Sequence, residues 1–304
     1  MAKGIEILPF NDVLNDDIAH FFKSGTIRRS DKNDKLDKIH HLLPKKGNYD
    51  TNLEYDLWYD FAGEDKIRGY VYTDVITKFV YLRPASSKYC DKIMCEAVKG
   101  YETEEGEIIL NDIISNGNDK YKLRKTDVSY PFVIFLPGTN ILNDIIDRKK
   151  IKQAIKVYDA KLKCHPLTSP FAMSDLKSCF GKDALIDKNL SGHAILERAD
   201  WVGCCTNSEM GLVALARNKQ LRLYDKKNLD KYYTYTSVYN ALSRSGNLKP
   251  RSTGLTRILS CEFSGLISHL SSDPKQKIDN FFNYFKDETH VPPKRPKTLN
   301  TRGK

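Results

Sequence analysis

The chain of 304 residues lacks any long apolar run. Its continuous apolar segments, such as residues 132–136 and 108–110, are the size of a strand, whereas a helix that crosses a bilayer needs about 20 apolar residues. The first residues also lack the apolar stretch of a secretory signal. We therefore expect a soluble protein of the cytoplasm, which would be the host cytoplasm if the source is a virus.

The sequence also lacks the spacings of common metal and redox sites. It has seven cysteines, and no two of them are separated by the two residues typical of a zinc ribbon or a redox pair. The adjacent Cys204 and Cys205 could not bridge to each other without strain. We expect reduced, mostly buried thiols and no structural metal.

Several motifs that identify common enzyme classes are missing. There is no Walker-type Gly-rich loop, no Gly-x-Gly-x-x-Gly dinucleotide fingerprint, and no zincin or nucleophile-elbow motif. What is present is a globular composition, with 40% hydrophobic and 29% charged residues, and a formal net charge of +10. At roughly 100–200 residues per domain, the length predicts one large or two medium domains.

The two halves of the chain differ in pattern. Short aromatic and β-branched segments at 57–61, 67–72 and 79–82 predict strands, and 86–100 predicts a helix. The apolar run 132–136 is typical of a strand that is buried on both faces of a parallel sheet. Strand–turn–helix units then repeat as far as Asp225, with a helix expected over 141–155, which predicts a doubly wound α/β domain. We divide the chain into an acceptor-binding domain (1–130), a nucleotide-sugar-binding domain with C-terminal helices (131–289) and a basic disordered tail (290–304).

Two predicted strands end in turns suited to ligand binding. The first turn carries Gly138, Thr139 and Asn140, which offer a close backbone approach, a hydroxyl and an amide. The second carries His165, which Pro166 pushes toward an extended conformation that could aim the imidazole at a phosphate oxygen. In open α/β sheets, ligands bind outside the carboxyl ends of the strands. A plain strand-to-helix turn is the alternative for the first of these sites.

A third strand ends in Thr206, Asn207 and Ser208, and a predicted helix follows with Glu209 and Gly211 in its first turn. Asn207 or Ser208 is suited to cap that helix, and the free N–H groups of a helix N-terminus attract anions. Gly211 would allow a ligand to approach closely. An ordinary capped helix without a ligand is the alternative interpretation.

Together these turns resemble the donor half of GT-B glycosyltransferases, and more closely the group that transfers capsule sugars, Kdo and sialic acid. The resemblance is carried by the segments 195–202, 206–208, 214–215 and 221–225, by Lys219, and by His165-Pro166 placed 43 residues before Ser208. It implies a two-domain, GT-B-like α/β architecture in which His165 and Ser208 contact the phosphates of a nucleotide sugar, with residues 138–140, 206, 207, 209 and 211 nearby. A UDP-sugar is the expected donor, and no metal is required.

The resemblance covers about a third of the chain, and the sequence departs from the family pattern at four positions. Val213 stands where many relatives have Glu, Asn218 replaces Gly, Gln220 replaces Pro, and Cys164 replaces the Pro before the histidine. If that Glu normally holds the ribose, the nucleotide preference of this chain differs from that of its relatives.

An inverting transferase also needs a base on the acceptor side. Glu104-Glu105-Gly106 resembles the acidic-acidic-Gly motif that supplies this base in sialyltransferase-like enzymes, and a tight glycine turn there could raise the pKa of Glu105. We predict Glu105 and His165 as catalytic residues. The same segment also suits a surface turn, and four other carboxylates compete for the role: Asp60, Glu64, Asp65 and Asp74.

The basic excess suits a polyanionic acceptor. We expect the loop that carries Arg244, Lys249, Arg251 and Arg257 to bind nucleic acid, with double-stranded DNA as the acceptor. The chain is similar in architecture to bacteriophage enzymes that glycosylate hydroxymethylated bases. The preferred prediction is therefore a monomeric DNA-modifying glycosyltransferase. A transferase of capsule or lipopolysaccharide synthesis and a non-catalytic nucleic-acid-binding protein are the alternatives.

Overall fold

The computed structural model describes residues 55–59, 68–74, 77–84, 86–115, 123–227, 233–248 and 253–286. The charged N-terminal segment and the predicted tail from residue 290 lie outside these ranges. Within them, no helix is both long and apolar enough to cross a membrane. All seven cysteines lie within the described ranges, and none forms a disulfide.

The first of two sheets is antiparallel and has the order β1-β2-β3-β9. Its strands are β1 (Tyr55–Tyr59), β2 (Arg68–Asp74), β3 (Phe79–Pro84) and β9 (Leu266–Ser268). Phe79 is paired with Ser268, and Tyr81 with Leu266. This sheet therefore contains strands from both sides of the predicted boundary at residue 130.

The second sheet has five parallel strands and confirms the predicted α/β class. Its strands are β4 (Phe132–Phe135), β5 (Lys161–Lys163), β6 (Leu185–Ile186), β7 (Trp201–Cys204) and β8 (Gln220–Leu223). Their spatial order is β6-β5-β4-β7-β8. The chain thus moves outward in one direction from β4 to β6, then returns to the other side of β4 for β7 and β8, as in a doubly wound fold.

Ten helices are described. They are α1 (Ser87–Ala97), α2 (Glu104–Ser115), α3 (Thr139–Ile145), α4 (Arg148–Tyr158), α5 (Pro170–Phe180), α6 (Gly192–Arg198), α7 (Glu209–Ala216), α8 (Thr236–Arg244), α9 (Gly254–Ser260) and α10 (Pro274–Lys286).

Apolar side chains are buried on both faces of the parallel sheet. On one face, Ile134 and Leu162 pack with residues of α3, α4 and α5. On the other face, Val133 and Val202 belong to a larger cluster that continues through α6 and α7 into the antiparallel sheet and α8 to α10. The successive residues Val133 and Ile134 therefore serve opposite faces, as the uninterrupted apolar run predicted.

The predicted helix over 141–155 is wrong in one respect, because it is divided into α3 and α4. The chain leaves helical geometry at Ile146, and the side chain of Asp147 caps α4 by accepting hydrogen bonds from Lys149 N and Lys150 N. Asp147 N also donates to Tyr224 O at 2.8 Å. This contact with the end of β8 holds the break in place, and such a distant pairing is not visible in the local sequence.

The centre of the parallel sheet needs glycine at position 203. A Cβ atom there would lie 2.7 Å from the ring of Tyr224 and 2.8 Å from Ile134. We predict that Gly203→Ala lowers the free energy of unfolding by about 1–3 kcal/mol, because overpacking forces neighbours off their rotamers. Urea unfolding measures this as a lower midpoint with an unchanged slope.

Gly192→Ala is the matched control. A Cβ atom at this first residue of α6 would lie 3.3 Å from Phe135, and alanine favours a helix more than glycine does. We expect its stability to stay within about 1 kcal/mol of the wild type. Equal losses in the two variants would contradict the packing described for β7.

Candidate functional site

The candidate site lies where the strand order reverses, at the carboxyl ends of β4, β5 and β7. These three strands are neighbours, with β4 hydrogen-bonded to β5 on one side and β7 on the other. The three predicted turns follow these strands, so all of them lie at one edge of the sheet. In doubly wound folds this edge is where ligands bind.

The first two turns are in direct contact. Ser169 N donates to the Thr139 hydroxyl at 2.9 Å, and Leu136 N donates to Lys163 O at 2.9 Å. Gly138 has an ordinary extended backbone, with φ −63° and ψ 161°, so its conformation does not itself require glycine. The side chain of Asn140 lies outside the described residues.

His165 is half-buried and held in one orientation by its own turn. Its Nδ1 accepts a hydrogen bond from Leu167 N at 3.1 Å, and its carbonyl accepts from both Thr168 N and the Thr168 hydroxyl. Because Nδ1 is an acceptor, the proton of the neutral imidazole is on Nε2. The neighbouring Lys163 is buried, and its ammonium donates to Cys164 O and Lys188 O.

The third turn is joined to the end of β8 through Asp225. Thr206 donates to one carboxylate oxygen from its backbone N at 3.0 Å and from its hydroxyl at 2.8 Å. Asp225 is 8% exposed, and this burial raises the pKa of its carboxyl, although the hydrogen bonds from Thr206 act in the opposite direction. Among the described residues, Asn207 Oδ1 is buried without a hydrogen-bond partner.

Side chains from other parts of the protein contact the start of α7. Ser208 caps the helix by accepting from Met210 N at 3.2 Å, and the Tyr239 hydroxyl donates to Ser208 O at 2.5 Å. Glu209 is buried and accepts a hydrogen bond from Tyr72. The capping predicted for Ser208 is confirmed. One N–H group of the helix N-terminus, that of Met210, therefore already has a hydrogen-bond partner within the protein.

Gly211 faces protein, contrary to the ligand approach that the sequence suggested. A Cβ atom there would lie 2.3 Å from the Tyr239 hydroxyl and 2.7 Å from Cys204 Sγ. The contact of Tyr239 with the start of α7 could not be predicted from the sequence, because nothing in the local pattern connects this residue to α7. The only signal was the density of tyrosines between residues 232 and 239.

The interpretation of Glu105 is wrong in two respects. The residue lies in the first turn of α2 instead of a tight glycine turn, and Gly106 allows close packing against Ser260 of α9. Burial tends to raise the pKa of Glu105, but hydrogen bonds from Lys277 and Ser272 outweigh it and hold the pKa below its usual value. Lys277, whose side chain is 4% exposed, lies 2.7 Å from the carboxylate. A carboxylate held in this way is a poor proton acceptor and acts as part of a buried ion pair.

The other candidate bases lie outside the part of the chain that the structure describes. Asp60, Glu64 and Asp65 fall between the described ranges, and for Asp74 in β2 only the backbone belongs to the described part of the structure. The acceptor-side base is therefore not assigned.

Two of the four predicted nucleic-acid-binding cations form ion pairs. Arg244 lies 3.2 Å from Asp91, and Arg257 lies 3.3 Å from Glu102. Lys249 and Arg251 lie outside the described residues. Surface pairs of this kind are weak, but they lower the positive potential that the loop presents.

A cavity of about 710 Å³ lies at the opposite, amino edge of the parallel sheet. Its lining comes from the C-terminal ends of α2 and α7, one side of α6, and residues 125–127. Lysines and arginines there are mixed with Asp127 and Glu197, and the carbonyl ends of two helices contribute negative charge. This cavity is separate from the three turns. Because its lining carries both positive and negative charges, it does not indicate whether an anion or a cation would bind.

In the described ranges, no group of three or more His, Cys, Asp or Glu side chains is placed to hold a metal ion. No protein-family model, curated protein or solved structure matches the chain. The glycosyltransferase resemblance therefore stays a prediction from the sequence.

The Glu105–Lys277 pair predicts an acid-sensitive contribution to stability. Since the folded-state pKa of Glu105 is lowered, its carboxylate stabilises the fold above the pKa of an unfolded glutamate, about 4.3, and this contribution is lost as the pH falls through the lower folded-state value. We predict that Glu105→Gln costs on the order of 3 kcal/mol at pH 7, because a buried ammonium loses its carboxylate. Denaturant unfolding at several pH values measures the difference, which should shrink below about pH 4.

Glu104→Gln is the control, because Glu104 is exposed and lies beside Glu105 in the same helical turn. We expect it to change stability by less than about 1 kcal/mol. If the loss in Glu105→Gln stayed constant from pH 7 to pH 3, the carboxylate would not be acting as the charged partner of Lys277.

Proposed function

We propose that the protein is a metal-independent glycosyltransferase of GT-B type that binds the phosphates of a nucleotide sugar at the carboxyl edge of the parallel sheet. One observation carries the proposal. The turns after β4, β5 and β7, which hold Thr139, His165 and Asn207, are adjacent at the point where the strand order reverses. The resemblance of the sequence to GT-B enzymes implies donor-phosphate contacts from these same turns.

The state of His165 supports a role toward the leaving group. In the transfer, the bond between the anomeric carbon and the phosphate oxygen breaks, and a bond to the acceptor oxygen forms. The acceptor proton passes to a base, and the nucleotide leaves with the negative charge. Because Leu167 N occupies Nδ1, the Nε2–H of His165 is the group that can donate to a phosphate oxygen.

The third turn supplies further polar groups for the donor. The amide of Asn207 has an oxygen without a partner among the described residues, so it is suited to accept a hydrogen bond from a sugar hydroxyl. The hydrogen bonds of Thr206 with Asp225 fix this turn to the end of β8. A turn held in this way loses little freedom when a ligand binds.

DNA carrying hydroxymethylated bases is the preferred acceptor, since the chain carries a net charge of +10. A cell-surface glycan is the alternative acceptor. A nucleic-acid-binding protein without catalysis is the second alternative, because the Met210 N–H at the start of α7 already has a partner in the Ser208 side chain and does not need a donor phosphate. Donor binding separates these possibilities.

Two substitutions of His165 test the donor site while controlling for folding. His165→Asn retains an oxygen close to the position of Nδ1, which can accept from Leu167 N, but removes the Nε2 donor. We predict that this variant keeps the wild-type melting temperature and binds the stabilising nucleotide sugar about 10-fold more weakly, the cost of one hydrogen bond to a charged group. Thermal shift with UDP-, GDP- and CMP-sugars, followed by calorimetry with the best of them, measures both properties.

His165→Gln is the complementary variant, because its amide nitrogen can take the position of Nε2 while the acceptor for Leu167 N is lost. It should melt earlier than His165→Asn and retain more of the donor affinity. If no nucleotide sugar stabilises the wild type, the transferase proposal fails and the binding protein is favoured.

The acceptor is tested by mass spectrometry of DNA. Hydroxymethylated duplex DNA incubated with protein and the stabilising donor should gain the mass of one sugar on the modified base. Unmodified DNA, which lacks the hydroxyl, is the control. An unchanged base mass with a donor that binds would exclude DNA as the acceptor and favour a glycan.

A further inference from the structure

The helix α4 has an unusual distribution of charge. Its eleven residues include five lysines and arginines and no acidic residue. Three of the cations are in the first turn, where the positive end of the helix dipole disfavours them.

Two of the five cations of α4 bond to neighbouring parts of the protein. Arg148 forms a bidentate contact with Asp175 and also donates to Asn143. Lys150 donates to Asp225 O at 2.7 Å and lies near the capping residue Asp147. These two residues hold α4 against its neighbours.

The other three cations of α4 are lysines directed to solvent. Lys149, Lys152 and Lys156 are exposed, and none of them forms a salt bridge with any residue that the structure describes. Their spacing of three and four residues places them along one side of the helix over about 10 Å. The nearby carboxylates are already engaged, since Asp159 pairs with Lys161 and Asp175 with Arg148. We name Lys149, Lys152 and Lys156 the lysine stripe.

An aromatic cluster lies at the C-terminal end of the same helix. The guanidinium of Arg222 is 4.1 Å from the ring centre of Trp201 and 5.1 Å from that of Tyr158, and Phe132 adjoins both rings. Tyr158 is 53% exposed, and the neighbouring Val157 is 57% exposed. Aromatic rings and guanidinium planes are the groups on which unpaired bases stack.

We propose that the lysine stripe and the aromatic cluster together bind a DNA strand, with its phosphates along Lys149, Lys152 and Lys156 and an unpaired base against the exposed ring of Tyr158. The loop around Arg244 and Arg257, by contrast, has its described cations paired with carboxylates. The helix α4 carries lysines that form no salt bridge with described residues, and it ends at the exposed ring of Tyr158. Positive charge together with a stacking ring is the combination that single-stranded nucleic acid requires.

An anionic membrane would be attracted by the same charges, but the helix cannot insert. Ile151 and Ala154 are buried against the sheet, and Ile155 packs partly against the same cluster, so Val157 and Tyr158 are the exposed apolar side chains of α4. A helix that lies in a bilayer interface needs a continuous apolar face directed to the lipid. The surface therefore fits nucleic acid better than lipid.

The inference goes beyond the duplex acceptor of the proposed function and does not depend on donor binding, so the test contains no nucleotide sugar. Binding of a fluorescent 20-nucleotide single-stranded DNA is measured by anisotropy between 50 and 200 mM salt. We compare Lys152→Gln/Lys156→Gln with Lys88→Gln/Lys99→Gln, which removes the same charge from exposed lysines in and after α1. Loss of two phosphate contacts should make the slope of log K against log salt shallower by about 1.4.

The stripe variant should bind at least about 10-fold more weakly at 100 mM salt, and the control should match the wild type.

Tyr158→Leu, which keeps apolar volume, should weaken binding without changing the salt slope, and Lys149→Gln should weaken binding without lowering the melting temperature. Equal losses in the stripe and control variants would overturn the proposal, as would a wild type that does not bind the oligonucleotide at 50 mM salt. Stripe-dependent binding to phosphatidylserine vesicles, without oligonucleotide binding, would identify a membrane surface instead.

Discussion

The candidate site depends on the two hydrogen bonds by which Thr206 is held to Asp225. They join the ends of β7 and β8, and Tyr235 N adds a third contact at Thr206 O, so the turn before α7 is fixed from two directions. Without this buried acceptor, the Thr206 N–H would be unpaired, at a cost of about 1–3 kcal/mol. These contacts fix the turn that carries Asn207 at the carboxyl end of β7.

The succession of strands and helices between residues 132 and 225 was predictable from the sequence, because short segments with apolar residues alternate there with polar or glycine turns and helical segments. The interruption between α3 and α4 was not predictable, since Asp147 is held by Tyr224 from the far end of the sheet. The pairing of β9 with β3 is also a contact between distant parts of the chain. Local propensity carries no information about either contact.

The candidate site was predictable in location but not in its contacts. The rule that ligands bind at the carboxyl ends of parallel strands placed the turns of Thr139, His165 and Ser208 at one edge. The partners that give Glu105 and Gly211 their roles, Lys277 and Tyr239, come from elements far along the chain. A glycine or a carboxylate in an isolated motif can serve packing as readily as chemistry, and only the neighbours distinguish these roles.

The central claim is that a nucleotide sugar binds where the strand order reverses. Hydrogen–deuterium exchange with and without the donor that stabilises the protein tests this claim most directly, because it reports the location of binding along the chain. If the donor binds at this edge, the amides in 165–169 and 206–211 exchange more slowly with the donor present, and the exchange of the amides in 191–198 and 216–219 is unchanged. Protection confined to these last two segments, which line the cavity at the amino edge, would contradict it.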